Sequence, residues 1–183
     1  MKCDIKNIKE AQQKLEKKLK RFKDNKEIIE YARTYIDKRN QISIKEKKVS
    51  CKKKCSHCCF IPVIVFSGEI DLIQGKHNKK IYQMRDTIEK QKDGLNNWYD
   101  LSFKTRKCIF LKKDECTIYK DRPLMCRAHL VDNISEKCDT TKYNDTGKTD
   151  KRGETYRDLF LKILENKLGS ENFSRALFSQ LSK

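Results

Sequence analysis

Cys51-Lys52-Lys53-Lys54-Cys55-Ser56-His57-Cys58-Cys59 gathers four thiols and an imidazole into nine residues. Cysteine used this densely concentrates sulfur for chemistry or for metal. Thiolates bind zinc and iron strongly because they are soft, charged donors, and close spacing lets one loop present several of them. A second group lies downstream at Cys108, Cys116, Cys126 and Cys138, and only Cys3 stands outside the two groups. The eight clustered thiols are the candidate metal ligands. Around them we expect an α+β fold, mainly α: a small metal-held hairpin and a short strand surrounded by helices. The two groups should face one another, Cys51–Cys59 against Cys108–Cys126. Cys58 and Cys59 are adjacent, and neighbours in an extended backbone point to opposite sides. They are therefore expected to serve two centres, or one centre beside a free thiol.

The totals agree with a site-centred fold. Of the 183 residues, 37% are apolar and 38% charged, against about 45–50% and about 25% for an ordinary globular chain. The core is thin for the length, and a bound metal would help such a chain to fold. Residues 1–25 are charged throughout, and the longest apolar run, Phe60–Phe66, is too short to cross a bilayer. No signal peptide or membrane contact is expected, which assigns the chain to a reducing cytoplasm. There, clustered thiols serve as metal ligands or catalytic groups in preference to disulfides. The formal charge of +17 makes a zinc-stabilised nucleic-acid-binding module one alternative function. Lysine dominates that charge, whereas arginine is preferred for bidentate phosphate and guanine contacts, so nucleic acid is not the favoured partner.

Three regions are expected. Residues 1–45 form an N-terminal helical extension. Its first helix spans 4–24, capped by Asp4, with Ile5, Ile8, Leu15, Leu19 and Phe22 as an apolar stripe. Its second spans about 26–38, with Ile28, Ile29, Ala32, Tyr35 and Ile36 on one side. This antiparallel pair either stabilises the fold or offers a surface to a protein partner, and residues 41–50 form a lysine-rich approach to the first cluster. Residues 46–145 form the cysteine-cluster domain. A strand over 60–66 leads to a helix capped by Ser67 with acidic residues in its first turn. Gly75 should interrupt that helix, a longer one should run over 78–92, and Gly94 should end it. The connector over 95–106 should pack its aromatic residues, including Trp98, over the site. Cys108–Tyr119 reads as a hairpin, because two apolar runs flank a polar turn, and 131–152 is polar and irregular. Residues 146–183 form C-terminal helices, over 154–168 and 170–181 with a break at Gly169, packed on that domain.

The flanking residues have readable roles. Arg122 and Arg127 either offset the negative charge of a multi-thiolate centre, or cap carbonyls or pair with Asp121 or Glu69. Tyr119 should anchor the hairpin in the core. His57 and His129 are ligands, donors to thiolate sulfur, or solvent-facing. His77 should be exposed, and Cys3 should be a free thiol.

Cys51-x-x-x-Cys55-x-x-Cys58-Cys59, then Cys108-Ile109-Phe110-Leu111, Cys116-Thr117-Ile118-Tyr119-Lys120-Asp121-Arg122-Pro123 and Cys126-Arg127, then Cys138, resembles the CxxCxxCC cluster of small bacterial proteins of the YkgJ type, described as zinc- or iron-chelating. The likeness covers about residues 51–140 and departs from the usual pattern in the Cys-x3-Cys spacing of its first pair. It implies that the eight cysteines bind zinc or an iron–sulfur cluster, and an intracellular metal-binding role whose biochemical purpose is unassigned. Cys51, Cys55 and Cys58 also have the spacing with which radical S-adenosylmethionine enzymes hold a [4Fe–4S] cluster, although the repeated strand–helix units of those enzymes are missing. The cysteine motif is similar to that of flagellin lysine N-methylase. That similarity implies a second alternative, an iron–sulfur-dependent modification enzyme using S-adenosylmethionine.

Overall fold

A computed structural model describes residues 5–45, 54–130 and 151–181. Cys3, Cys51, Cys138, the Asp4 cap and the irregular stretch expected after residue 130 lie outside the described residues. Helices dominate, with two small two-stranded sheets among the described residues, so the fold is α+β and mainly α.

Helix α1 spans Ile5–Leu19 and α2 spans Asn25–Lys45. The α2 start is closed reciprocally. Asp24 Oδ1 accepts the Glu27 N–H at 2.9 Å, and Glu27 Oε2 accepts the Lys23 N–H at 2.8 Å, which satisfies donors that a helix N-terminus otherwise orphans. α2 continues past Lys38 through residues 41–45, which were expected to be an approach segment. No glycine or proline interrupts it, and Asn40 holds the extra length by donating Nδ2 to the Arg127 carbonyl at 2.8 Å.

Strand β1, Ile64–Phe66, is shorter than the run 60–66 suggests, because His57–Phe60 coils into a 3₁₀ turn. Its side chains alternate between two cores, as the pleat requires. Phe66 joins Leu19, Ile28, Ile29, Leu124, Phe160 and Leu164, whereas Val65 joins Ile70, Ile81, Ile88, Phe110, Phe173 and Leu177.

Helix α3 spans Glu69–Gln83 and α4 spans Arg85–Asp93. The cap of α3 is Gly68 rather than Ser67, because the chain turns there at φ +90, which an L side chain rarely adopts. A Cβ at Gly68 would also stand 3.2 Å from Ile29 Cδ1. Gly75 does not interrupt α3. The backbone bends at His77 (φ −127, ψ 18) and breaks at Met84, so the single helix expected over 78–92 is two. His77 is half-buried rather than exposed, with Nε2 3.2 Å from Asp121 Oδ2 and its ring edge-on to Phe110. After Gly94 come a 3₁₀ segment, Leu95–Asp100, and the short helix α5, Phe103–Arg106, which Ser102 caps by accepting the Thr105 N–H.

The expected hairpin is present as β2, Leu111–Lys112, and β3, Glu115–Cys116. Its two-residue turn, Lys113-Asp114, has both φ angles positive, at 50 and 60, the geometry that matches the twist of paired strands. Tyr119 does not anchor it. Ile118 takes the inward position, leaving Tyr119 61% exposed, with the Arg122 guanidinium 3.7 Å from its ring centroid. Helix α6, Leu124–Ala128, follows Pro123.

Helix α7 spans Lys151–Leu168 and ends at Gly169, at φ +75. Ser170–Asn172, expected to begin a helix, is instead strand β4, antiparallel to β1 with Val65 opposite Glu171. Helix α8, Phe173–Leu181, starts only after Asn172, whose Oδ1 accepts the Ser174 N–H at 2.9 Å. The N-terminal helices pack into the rest of the molecule, α1 against α7 and α2 against α6.

Candidate metal centre

Three segments carry the thiols to one place. The first is the loop from Lys54, itself at positive φ (67), into the 3₁₀ turn His57–Phe60. Cys58 and Cys59 therefore do not diverge as they would in an extended chain. The 3₁₀ turn rotates both onto one wall, closed by the Cys59 N–H to the Ser56 carbonyl at 2.9 Å. The second is the hairpin. Cys108 N–H donates to the Cys59 carbonyl at 2.8 Å, and Ser56 Oγ donates to Asp114 Oδ1 at 3.1 Å, so both ends of the hairpin are stitched to the first loop.

The third segment is α6, which carries Cys126 and is suspended from three sides. Glu69, 0% exposed, accepts the Phe66 N–H on one carboxylate oxygen (3.0 Å) and the Leu124 N–H on the other (2.8 Å). Asn40 holds the Arg127 carbonyl. The Arg127 guanidinium reaches both oxygens of Asp37 at 2.8 and 3.1 Å, and the Lys120 carbonyl as well. Arg127 thus caps a carbonyl, as one of its expected roles required, but its carboxylate partner is Asp37 and not Asp121 or Glu69. The Asp121 carboxylate instead takes Lys76 at 2.6 Å and His77.

Cys55, Cys58, Cys59, Cys108, Cys116 and Cys126 all line one cavity of about 460 Å³. All six are free thiols and half-buried. Trp98 also lines it, as expected for the connector, and donates Nε1–H to the Phe60 carbonyl at 2.8 Å. Tyr99 and Phe103 remain exposed. His57 and His129 are half-buried and are not on the cavity wall.

The thiols feel one another. The Cys59 thiol beside Cys58 holds the latter down to about 7, helped by the Arg122 charge, and the same contact pushes Cys59 up. Burial pushes Cys108 up to about 12, and the charges of Cys116 and Cys58 add to it. Burial likewise pushes Cys126 well above the usual thiol range, reinforced by Cys108, Cys58 and Cys116. Such a set stays largely protonated by itself, and a bound cation supplies the charge that converts it to thiolate. Among the described residues, no three cysteine, histidine or carboxylate side chains converge tightly enough to hold a single ion. The donors share one wall, and their chemistry fits zinc or iron.

Sequence reasoning missed two parts of this site. Glu69 reads as the acidic first turn of a helix, yet its carboxylate is the clasp between β1 and α6. Gln91 and Arg106 sit in strongly polar stretches with no apolar period to mark them as buried, yet both line the cavity. The Arg-Pro-x-x-Cys-Arg run of residues 122–127 was the one available signal for the suspended helix.

Comparison with curated proteins and with solved structures found no match. No helix among the described residues is long and apolar enough to cross a membrane. Residues 50–151, more than half of the chain, match the family CxxCxxCC, whose description is "Putative zinc- or iron-chelating domain". The segment contains every cysteine of the two clusters, and the chain belongs to that family of metal-chelating domains.

Proposed function

We propose that the protein is a cytoplasmic iron–sulfur protein whose cluster is held by thiolates from both cysteine groups. Cys55, Cys58, Cys59, Cys108, Cys116 and Cys126 supply the donors, and Cys51 and Cys138 extend the two groups. The observation that carries this reading is the meeting of six thiols from three chain segments on one cavity wall, more donors than one tetrahedral ion takes. Iron–sulfur clusters take cysteine thiolates as their ligands. Bound there, a cluster supplies electron-transfer or Lewis-acid chemistry. Arg122 lies where its charge acts on Cys58 and Cys116, so it offsets the charge of a multi-thiolate centre. The hairpin and α6 hold their cysteines through backbone and buried carboxylate bonds, which fixes donor positions before metal arrives.

Anaerobic purification followed by iron, acid-labile sulfide and zinc analysis tests the proposal. A brown protein with iron and sulfide in similar amounts is expected. A colourless protein with about two zinc ions, the number eight thiolates can hold as tetrahedral sites, would replace the cluster with structural zinc. A folded protein with neither metal would end the metal reading.

A further inference from the structure

The thiols share the cavity wall with apolar Trp98, Phe173 and Leu177, with charged Lys54, Asp114, Glu115 and Arg122, and with one buried cation, Arg106. Arg106 is 8% exposed, and its Nε and Nη1 atoms are buried without a hydrogen-bond partner among the described residues. It makes no ion pair with any described carboxylate, although its guanidinium lies over the rings of Phe103 (5.6 Å) and Tyr99 (5.8 Å). A buried guanidinium with unmet donors is costly unless a partner supplies the missing acceptors.

The site is built, not incidental. Gln91, 4% exposed, donates Nε2 to the Thr105 carbonyl (2.7 Å) and to the Lys107 carbonyl (3.0 Å), clamping the backbone on both sides of Arg106. Its Oε1 in turn accepts the hydroxyl of Ser174, 6% exposed, at 3.0 Å. Three elements, α4, α5 and α8, thus hold one cation against an apolar chamber. Arg122 is the guanidinium whose charge acts on the Cys58 and Cys116 thiols, and Arg106 is a second guanidinium on the same wall.

We infer that this end of the cavity binds a small carboxylic acid with an apolar body, its carboxylate on Arg106 and its body against Trp98, Phe173 and Leu177. A carboxylate fits better than a phosphate. Both Gln91 N–H groups and the Ser174 hydroxyl are already committed, which leaves the Arg106 guanidinium as the buried donor with unmet hydrogen bonds, suited to one singly charged group. Planar guanidinium also matches carboxylate geometry. The site needs no particular metal on the thiols, and it adds a ligand to the chelating role.

Trp98 is the single tryptophan in the chain and lines the cavity, so its emission reports occupancy. Octanoate, hexyl phosphate and octanol are titrated into the full-length protein as purified, with calorimetry alongside. Octanoate should bind and perturb Trp98, and octanol should bind at least about tenfold more weakly for want of the charge-assisted contact. Arg106→Met should lose that preference and keep the metal content of the wild type. Absence of octanoate binding, or hexyl phosphate binding in its place, would overturn the carboxylate site. So would loss of metal in Arg106→Met, since it would make Arg106 part of the thiol centre.

Discussion

Replacing Glu69 by alanine should be among the most damaging single changes outside the cysteines. Its carboxylate is fully buried and accepts two backbone N–H groups, those of Phe66 and Leu124. Alanine would leave both donors buried without a partner, at about 1–3 kcal/mol each, for a total loss of about 2–6 kcal/mol. A domain of this kind has only about 5–15 kcal/mol to lose. Glutamine keeps one acceptor oxygen but turns an amide N–H₂ toward the other donor, so Glu69→Gln should cost about 1–3 kcal/mol. The sign of the pH dependence follows from burial, which pushes the Glu69 carboxyl up against the opposing pull of the two N–H groups and of Arg33 and Arg127. A raised acid contributes most when protonated, and that contribution fades as pH rises through the shifted value. The gap between wild type and Glu69→Gln should therefore narrow from mildly acidic toward neutral pH. Urea unfolding followed by far-UV circular dichroism, with bound metal measured in the same samples, gives both numbers. Leu124 begins the helix that carries Cys126, so metal content should fall with stability in Glu69→Ala. A stability loss below about 1 kcal/mol in Glu69→Ala would refute the reasoning, because it would mean that water or another acceptor serves both donors.

Gly68→Ala meets a positive φ and a Cβ contact of 3.2 Å with Ile29 Cδ1. It should lose about 1–3 kcal/mol, read as a lower thermal midpoint. Arg127→Lys keeps the charge but cannot span both Asp37 oxygens and the Lys120 carbonyl. A loss of about 1–3 kcal/mol, with weaker metal retention, is expected on denaturant titration and metal analysis. Lys76 holds the Asp121 carboxyl below the usual carboxylate range, with help from His77. Its contribution is present at neutral pH and lost as pH falls through the lowered value. Lys76 is largely exposed, so Asp121→Asn should cost no more than about 1 kcal/mol. That difference should vanish in acid, as acid-unfolding curves would show.

Elements were legible in the sequence where local chemistry decides them. The Cys108–Tyr119 hairpin shows as two apolar runs around Lys113-Asp114, and the turn adopts the backbone that such short loops demand. Gly169 closes its helix in the left-handed conformation that glycine adopts, and Gly94 follows the last residue of α4. The α-rich class and the convergence of the two cysteine groups followed from spacing and family likeness. What tertiary partners decide was not legible. Strand β4 exists because β1 pairs with residues 170–172 across more than a hundred residues of chain, and nothing local in Ser170-Glu171-Asn172 favours a strand. α2 outran its expected end because Asn40 finds the Arg127 carbonyl. Tyr119 turned outward because Ile118 took the single inward position of that segment. The adjacent cysteines were read on extended backbone at a place where the chain coils, and the coil sets Cys58 and Cys59 side by side on one wall. Glu69, Gln91 and Arg106 look like surface residues in any window of sequence. Each is buried because the fold supplies it with backbone partners or with a cavity.

X-ray absorption at the iron and zinc edges of anaerobically purified protein tests the central claim most directly, since it identifies the atoms that touch the metal. An all-sulfur ligand shell at iron, with iron neighbours further out, is the expected result. Replacing Cys58 and Cys116 by serine, one from each cysteine group, should deplete that shell. A shell of oxygen and nitrogen, or a metal content that both substitutions leave unchanged, would contradict the assignment of the cysteine-lined cavity as the metal centre.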